Sequence, residues 1–139
     1  MGKVKFKFID LFAGIGGFHI AMSNLGGECV FASEIDAHAR KTYLHNFDIN
    51  EKDFNQDITK MNIKKIPEFD VLCAGFPCQP FSTIGKRQGF SHPTQGTLFH
   101  DVERIMRHHR NRAFLLENVA GLISHDGGRT LSVIEDTLT

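Results

Sequence analysis

The chain has 139 residues, 41% of them apolar, and its 16 basic and 16 acidic residues give a formal net charge of +0. This length suits a single domain, and the balanced charge excludes a global field that would attract nucleic acid or a membrane surface. No apolar run approaches the roughly 20 residues that span a bilayer, and no signal peptide opens the chain. The three cysteines lack paired spacing. We therefore expect a reducing, cytoplasmic location rather than a disulfide-stabilised secreted protein.

The first half of the chain predicts two strand–helix pairs. Strands are predicted over 4–11 and 29–33, and helices over 18–25 and 37–46, with a glycine turn at 14–17 before the first helix. Asp36 is suited to cap the second helix, because its side-chain oxygen can accept a hydrogen bond from a backbone N–H of the first turn. A weaker, short strand is predicted over 54–58.

The second half continues the alternation. Strands are predicted over 69–73 and 113–116, and helices over 98–109 and 130–138, with a polar stretch at 82–94. Strands that alternate with helices predict βαβ units and a doubly wound, mostly parallel α/β sheet. Because the last helix is followed by neither a capping glycine nor a strand, we expect one edge of the sheet to be unfinished.

Polar residues stand at or just after the ends of the predicted strands. They are Asp10, Glu34, Asp57, Cys78 and Glu117. Since the carboxyl ends of parallel strands meet at one edge, where doubly wound sheets bind their ligands, these five residues are predicted to line one rim.

The glycine turn favours a cofactor that carries an adenosine ribose. The run from Gly14 to Gly17 permits close backbone approach to a ligand, but His19 stands where the dinucleotide fingerprint requires its last glycine. Glu34 ends the second strand, where an acid can bind ribose hydroxyls. A plain tight turn and a helix-capping glutamate remain the alternatives. Because no G-K-[ST] follows and the rim is acidic, the cationic S-adenosylmethionine is favoured over a pyrophosphate.

Cys78 lies between Pro77 and Pro80, which fix the backbone and remove two N–H donors. A thiol on a rigid turn after a strand is a candidate nucleophile. Taken alone, the pattern is more typical of a buried structural cysteine than of a nucleophile.

Three motifs resemble those of the cytosine carbon-5 DNA methyltransferases. They are F-I-D-L-F-A-G-I-G-G-F at 8–18, G-F-P-C-Q-P-F-S at 75–82 and E-N-V at 117–119, with Q-G-T-L-F at 95–99 in addition. Their order and separation match that family from about Lys5 to Ser124. The resemblance implies a Rossmann-like S-adenosylmethionine-dependent fold, truncated before its last strands. Residues 1–139 would be the N-terminal part of the catalytic domain, without the target-recognition domain.

The resemblance also implies roles for individual residues. Contacts with S-adenosylmethionine, whose product is S-adenosylhomocysteine, are expected from Asp10, Phe12, Ala13, Gly14, Ile15, Gly16, Gly17, Glu34, Ile35, Asp57, Ile58 and Phe76. Phe12 and Ile35 would lie against the adenine, Glu34 would bind the ribose and Asp57 the adenine amino group. Contacts with DNA are expected from Gln79, Ser82, Lys86 and Arg87. No metal is expected, since the histidines and cysteines lack ligand spacing.

The implied reaction is covalent catalysis on a cytosine flipped out of double-stranded DNA. Cys78 would be the nucleophile, Glu117 would hold the pyrimidine, Pro77 would offer backbone contacts and Asn118 would orient the Pro-Cys loop. Such enzymes belong to restriction–modification systems of bacteria and phages, which implies a location at the nucleoid.

The family continues with a Q-x-R-x-R segment, a recognition domain and a C-terminal motif, none of which follows Val119. We therefore expect a fragment or a split half that is inactive without a second polypeptide. The chain also departs from the family at Gln95, which stands where relatives commonly have arginine. The alternative is a non-catalytic binding or interaction module of the same fold. Methylation of RNA is less favoured, because Phe76 stands where such relatives tend to have proline. A basic cluster is interpreted as a solvated helix face, with phosphate contact as the less favoured interpretation. It consists of Arg104, Arg107, Arg110 and Arg112, with His108 and His109.

Overall fold

The computed structural model describes residues 2–79 and 97–139, and in these residues five parallel strands form one sheet in the order β3-β2-β1-β4-β5. The strands are β1 (Phe6–Leu11), β2 (Gly27–Ser33), β3 (Phe54–Asn55), β4 (Val71–Ala74) and β5 (Ala113–Leu116). Helices α1 (Gly17–Asn24), α2 (Ala37–Asn46), α3 (Leu98–His109) and α4 (Arg129–Leu138) connect or follow them. Single 3₁₀ turns occupy Glu51–Asp53, Ile58–Lys60, Ile63–Lys65, Ala120–Ile123 and His125–Gly128.

The central strands are buried on both faces, as parallel strands covered by helices must be. In β1, Phe8 faces the first helix, where its ring meets that of His19 edge-on at 5.7 Å. Ile9 and Leu11 belong to the core on the opposite face, which includes Val102 of α3. The predicted doubly wound α/β sheet is thereby confirmed. None of the helices in residues 2–79 and 97–139 is long and apolar enough to cross a bilayer.

Two strands are shorter than predicted, and in one of them a side chain ends the backbone pairing. The third strand was predicted over 54–58 but covers only Phe54–Asn55. The Asp57 carboxylate accepts the N–H of Thr59 at 3.0 Å and so starts a 3₁₀ turn. The first strand begins at Phe6 rather than at residue 4. Helices α2 and α3 have the predicted bounds.

The outer strand β5 is exposed, in contrast to its neighbour β4. Phe114 and Leu115, whose side chains alternate between the two faces of the sheet, are 47% and 44% exposed. In β4, Leu72 and Cys73 are 0% exposed. Both faces of the β5 edge therefore present apolar surface.

Candidate active site

Glu34 joins the two loops that follow β1 and β2. Its Oε2 accepts the N–H of Gly14 at 2.7 Å, and its Oε1 accepts the N–H of Asp36 at 2.8 Å. Each carboxylate oxygen has two lone pairs, so each can still accept a hydrogen bond from a ligand hydroxyl. Arg40 of α2 fixes the backbone behind this carboxylate, because its Nη1 lies 3.1 Å from the carbonyl oxygens of both Glu34 and Ile35.

The turn from Phe12 to Gly17 has a backbone that few residues can adopt. Phe12 has φ 54°, which is the left-handed region and is uncommon for a residue with a side chain. Gly16 has φ 101°, and a Cβ at this position would lie 2.1 Å from Cε2 of Phe47. Strain of this kind persists where surrounding contacts enforce it, and it clusters at ligand sites.

A cavity of about 340 Å³ opens at the carboxyl ends of β1, β2 and β3. Its lining consists of Phe12, Ser33, Glu34, Ile35, Gln56, Asp57, Ile58, Thr59, Pro77 and Leu98. The walls are largely apolar, and no basic residue is among these lining residues. The carboxylates of Glu34 and Asp57 suit a ligand that has hydroxyl or amino groups to donate hydrogen bonds.

Asp57 is prepared to act as an acceptor at the cavity. Its Oδ1 accepts the hydroxyl of Thr59 at 2.6 Å, and its Oδ2 lies 3.6 Å from Nζ of Lys60. The hydrogen bond from the Thr59 hydroxyl, with a smaller contribution from Lys60, lowers the pKa of Asp57. The carboxylate is therefore ionised at neutral pH. Gln56, Thr59 and Leu98 were not predicted as site residues, although the Asp-x-Thr spacing is a signal of such a local turn.

The loop that carries Cys78 is held on both sides. Before it, Nδ2 of Asn118 donates to the carbonyl oxygen of Phe76 at 2.8 Å. After it, Oε1 of Gln79 accepts the N–H of Leu98 at 2.8 Å, at the start of α3. Cys78 itself is half-buried and lines a small hollow with Pro77 and Thr130, among other residues.

Glu117 follows β5 and lies against the start of the Pro-Cys loop. Its N–H donates to the carbonyl oxygen of Ala74 at 2.9 Å. A Cβ at Gly75 would lie 3.1 Å from Oε2 of Glu117, so glycine gives this carboxylate room beside the loop. Cys78 and Glu117 therefore lie at neighbouring strand ends of the same rim.

Asp10 does not belong to that rim, and the prediction that it lines the rim is wrong. Its side chain is 0% exposed and lies beneath the glycine turn, with Oδ2 3.5 Å from the hydroxyl of Tyr43. Side chains alternate along a strand, and Asp10 points to the face that is covered by α1 and α2. The ring of Phe76, expected near the cofactor, is likewise buried and packs against Phe99 at 5.3 Å.

Several other predicted site residues differ in their setting. Ile15 and Ile35 are 64% and 70% exposed, whereas Ile58 is buried at the base of the cavity. Ser82, Lys86 and Arg87, predicted to contact DNA, lie outside the described residues, as does Gln95.

Arg104 is not a solvated residue of a basic helix face. Its Nε donates to Asp101 at 2.8 Å, its Nη1 donates to the carbonyl oxygen of Met61 at 3.2 Å, and its Nη2 donates to that of Ile58. Arg104 therefore ties α3 to the turn that forms one wall of the cavity. Arg107, by contrast, is paired with Glu103 and is mostly exposed.

Comparison with known proteins identifies the family. A family model described as C-5 cytosine-specific DNA methylase matches residues 6–139. The Type II methyltransferase M.MspI of Moraxella sp is 57% identical over 133 residues, which are 96% of this chain and 31% of that protein. M.HpaII of Haemophilus parainfluenzae is 58% identical over 137 residues, which are 98% of this chain and 37% of that protein.

A solved structure shows the same fold. The crystal structure of S. pombe Dnmt2 methyltransferase aligns with a TM-score of 0.70 at 24% identity, over 96% of this chain and 41% of that one. The chain spans about a third of the length of the curated relatives it matches. The resemblance stated from the motifs is confirmed, and the chain belongs to the family of C-5 cytosine-specific DNA methylases.

Proposed function

We propose that this chain is the cofactor-binding and nucleophile-bearing part of an enzyme that methylates carbon 5 of cytosine in double-stranded DNA. The methyl donor is S-adenosylmethionine, and S-adenosylhomocysteine is the product. The observation that carries this proposal is the position of Pro77, which lines both the 340 Å³ cavity and the hollow that contains Cys78. A cofactor in the cavity would therefore lie next to the loop that bears the nucleophile.

The residues around the cavity fit S-adenosylmethionine. Phe12 and Ile35 offer apolar surfaces for the adenine, and Glu34 has free lone pairs for the ribose hydroxyls. Asp57 can accept the adenine amino group. The acidic, lysine-free and arginine-free lining favours a cationic ligand over a phosphorylated one. When bound, this cofactor supplies an electrophilic methyl group.

Cys78 acts first on the cytosine. Its thiolate adds to carbon 6, which forms a carbon–sulfur bond and moves an electron pair towards carbon 5. Carbon 5 then becomes nucleophilic enough to take the methyl group. Glu117 hydrogen-bonds the N3 and amino edge of the base and offsets the charge that develops there. A base, for which a water is a candidate, then takes the proton from carbon 5. The electron pair left behind forms the double bond between carbons 5 and 6, and the carbon–sulfur bond breaks to release the Cys78 thiolate.

Two residues position this chemistry. Asn118 holds the carbonyl oxygen of Phe76 and so orients the loop, while Pro77 contacts the base through its backbone. The target cytosine must leave the duplex to reach Cys78. Gln79, Ser82, Lys86 and Arg87 are proposed to contact the DNA. Because the amide oxygen of Gln79 is bound to Leu98, its amino group is the part that is proposed to reach the DNA.

Recognition of the DNA sequence is proposed to come from a further segment or a second polypeptide that covers β5. The exposed apolar side chains of Phe114 and Leu115, on opposite faces of this outer strand, support an added strand at that edge. Val119, three residues beyond β5, is also exposed, at 66%.

A chimera tests the proposed reaction. The region of M.HpaII that matches this chain is replaced by it, and the chimera is incubated with S-adenosylmethionine and a duplex containing 5-fluorocytosine. We expect a covalent protein–DNA adduct that is lost in Cys78→Ser and kept in Cys29→Ser, a matched change at another half-buried cysteine. An adduct that persists in Cys78→Ser refutes the nucleophile. A folded chimera that binds cofactor and DNA without forming an adduct indicates a non-catalytic module instead.

Cofactor binding is tested separately on the 139-residue chain by calorimetry. Glu34→Gln cannot accept both N–H groups, because one end of its amide is a donor, so S-adenosylmethionine binding should weaken at least about tenfold. Glu28→Gln, an exposed change on the same strand, is the matched control and should bind like the wild type. Equal affinities of the wild type and Glu34→Gln would refute the assignment of the ribose-binding residue.

A further inference from the structure

A buried polar cluster lies beneath the glycine turn, on the sheet face covered by α1 and α2. Its members are Asp10 of β1, His19 of α1, Cys29 of β2 and Tyr43 of α2. Asp10 and Tyr43 are 0% exposed. Burying polar groups costs free energy unless they are hydrogen-bonded. The hydrogen bonds among these four side chains therefore show how that cost is offset.

The hydroxyl of Tyr43 is the centre of the cluster. It lies 2.6 Å from Nδ1 of His19, 3.5 Å from Oδ2 of Asp10 and 3.6 Å from Sγ of Cys29. A phenol has one proton to donate, so it cannot donate to both His19 and Asp10. Burial raises the pKa of Cys29 to about 12, so this thiol is protonated and carries no charge.

Two proton arrangements satisfy the remaining contacts. In the first, a protonated Asp10 donates to the Tyr43 oxygen, and Tyr43 donates to an unprotonated Nδ1 of His19. In the second, Asp10 is ionised, Nδ1–H of His19 donates to the Tyr43 oxygen, and Tyr43 donates to Asp10. The two arrangements differ in the charge of Asp10 and in the tautomer of His19.

The surroundings of Asp10 favour the first arrangement at neutral pH. Its Oδ1 has no hydrogen-bond partner among residues 2–79 and 97–139, which would be costly for a buried carboxylate. Burial raises the pKa of Asp10 to about 8. Hydrogen bonds from Tyr43 and from the backbone N–H of His19 lower this pKa, and the negative charge of Glu34 raises it by a smaller amount. Among the residues that the structure describes, Cys73 of β4 is a further titratable neighbour, and burial raises the pKa of its thiol to about 12.

The cluster reaches the glycine turn through two aromatic rings. The ring of His19 stacks on that of Phe47, with centroids 3.9 Å apart and an angle of 17° between planes. The ring of Phe47 in turn occupies the space where a side chain at Gly16 would lie. The His19 ring therefore helps to hold the ring of Phe47, which packs against Gly16 of the turn.

We propose that Asp10, Tyr43 and His19 form a hydrogen-bonded relay that positions the glycine turn, and that the relay reverses its direction when Asp10 ionises. Tyr43 is the positioning residue at its centre. The effect on cofactor affinity depends on the function proposed above, whereas the relay itself does not.

Nitrogen NMR of the histidine side chains tests the relay without cofactor, between pH 6 and pH 9. Burial lowers the pKa of His19, so the ring is neutral in most of this range and its tautomer can be read directly. We expect the Nε2–H form near neutral pH and a shift towards the Nδ1–H form as pH rises past about 8. In Asp10→Asn and in Tyr43→Phe the tautomer should not change with pH. A wild-type tautomer that is constant over this range, or a change that persists in Asp10→Asn, overturns the relay.

Calorimetry tests its effect on the turn. Tyr43→Phe keeps the ring and removes only the hydroxyl, so S-adenosylmethionine binding should weaken by about five- to tenfold at pH 7, as expected for one buried hydrogen bond. Thr42→Val is the matched control, because the Thr42 hydroxyl bonds to the carbonyl oxygen of His38 on the exposed side of the same helix. Unchanged affinity in Tyr43→Phe refutes the positioning role. If the wild type does not bind S-adenosylmethionine, both the proposed cofactor role and the positioning role of Tyr43 are refuted. The NMR titration then still shows whether the hydrogen-bonded relay exists.

Discussion

Asn118 and Phe76 are joined across two neighbouring loops by a 2.8 Å hydrogen bond from the Asn118 amide to the Phe76 carbonyl oxygen. The other end of the same amide accepts the N–H of Val119 at 2.8 Å, so the side chain has one orientation. Phe76 is two residues before Cys78, and its ring is buried against Phe99. The position of Cys78 is therefore coupled to the loop that bears Glu117.

Removing this amide should loosen the Pro-Cys loop. In Asn118→Ala we expect a loss of about 1 kcal/mol in the free energy of unfolding and a severalfold change in the rate at which iodoacetamide modifies Cys78. Mass spectrometry of the Cys78 peptide measures that rate. Asn111→Ala is the control, because Nδ2 of Asn111 also donates to a carbonyl oxygen, that of Ala113, but at the far end of β5. If both variants alter the Cys78 rate equally, Asn118 has no specific hold on the loop.

The two glycines at the start of α1 should respond differently to alanine. Gly16→Ala forces a side chain into the left-handed region and into the ring of Phe47, 2.1 Å away. We expect it to cost about 3 kcal/mol of stability. A Cβ at Gly17 would have no atom of residues 2–79 and 97–139 within 4 Å, and φ is not in the left-handed region, so Gly17→Ala should be neutral or slightly stabilising. Thermal unfolding of both variants checks this, and a stable Gly16→Ala would contradict the described packing of Phe47.

The buried carboxyl of Asp10 should make stability depend on pH. Its folded pKa of about 8 lies above the ordinary value of 3.8 for this side chain, so the folded state holds an extra proton between these two values. Stability from this group is therefore complete below about pH 4 and is lost as pH rises to 8, by up to about 1.4 kcal/mol per pH unit. Asp10→Asn removes this dependence.

Urea unfolding of the wild type and of Asp10→Asn between pH 5 and pH 8 measures the difference. We expect the stability of Asp10→Asn relative to the wild type to increase steadily with pH. Asp136→Asn, an exposed change on α4, should show no such trend. A constant difference between wild type and Asp10→Asn would show that Asp10 is ionised in the folded protein already at pH 5.

Much of the site could be predicted because its signals are local. The glycine turn, the acid at the end of β2 and the Pro-Cys turn each follow a strand, and the carboxyl ends of parallel strands necessarily meet. The bounds of α2 and α3 followed from a cap and an apolar stripe. The side to which Asp10 points could not be predicted as safely, because a shift of one residue along a strand reverses the face.

Contacts between distant parts of the chain could not be predicted from such local signals. The acceptors of Arg104 lie 43 and 46 residues before it, and Gln79 reaches Leu98 across 19 residues. Nothing in the spacing of the four arginines distinguishes Arg104 from Arg107, although only the former is built into the cavity wall. The same reason explains why the Tyr43 cluster was not predicted: its members come from four different elements.

Arg104 and Arg107 should therefore differ sharply when each is replaced. The side chain of Arg104 is 24% exposed and donates to Asp101 and to the carbonyl oxygens of Ile58 and Met61. Arg104→Met removes three donated hydrogen bonds, and the Ile58 carbonyl oxygen then keeps the N–H of Met61, so we expect a loss of about 3 kcal/mol in unfolding free energy. Arg107 is 65% exposed, but its partner Glu103 is buried, so Arg107→Met should cost about 1 kcal/mol, which is well below the cost of Arg104→Met.

The same pair of variants shows whether α3 affects the cavity through the hydrogen bonds of Arg104 or through its positive charge. Because Ile58 lines the cavity, Arg104→Met should also weaken S-adenosylmethionine binding in calorimetry, while Arg107→Met should leave it unchanged. Both variants lose one positive charge from the same helix, so a general electrostatic effect would change them alike. Equal losses of stability and affinity would show that α3 contributes to this site through its charge and not through the hydrogen bonds of Arg104.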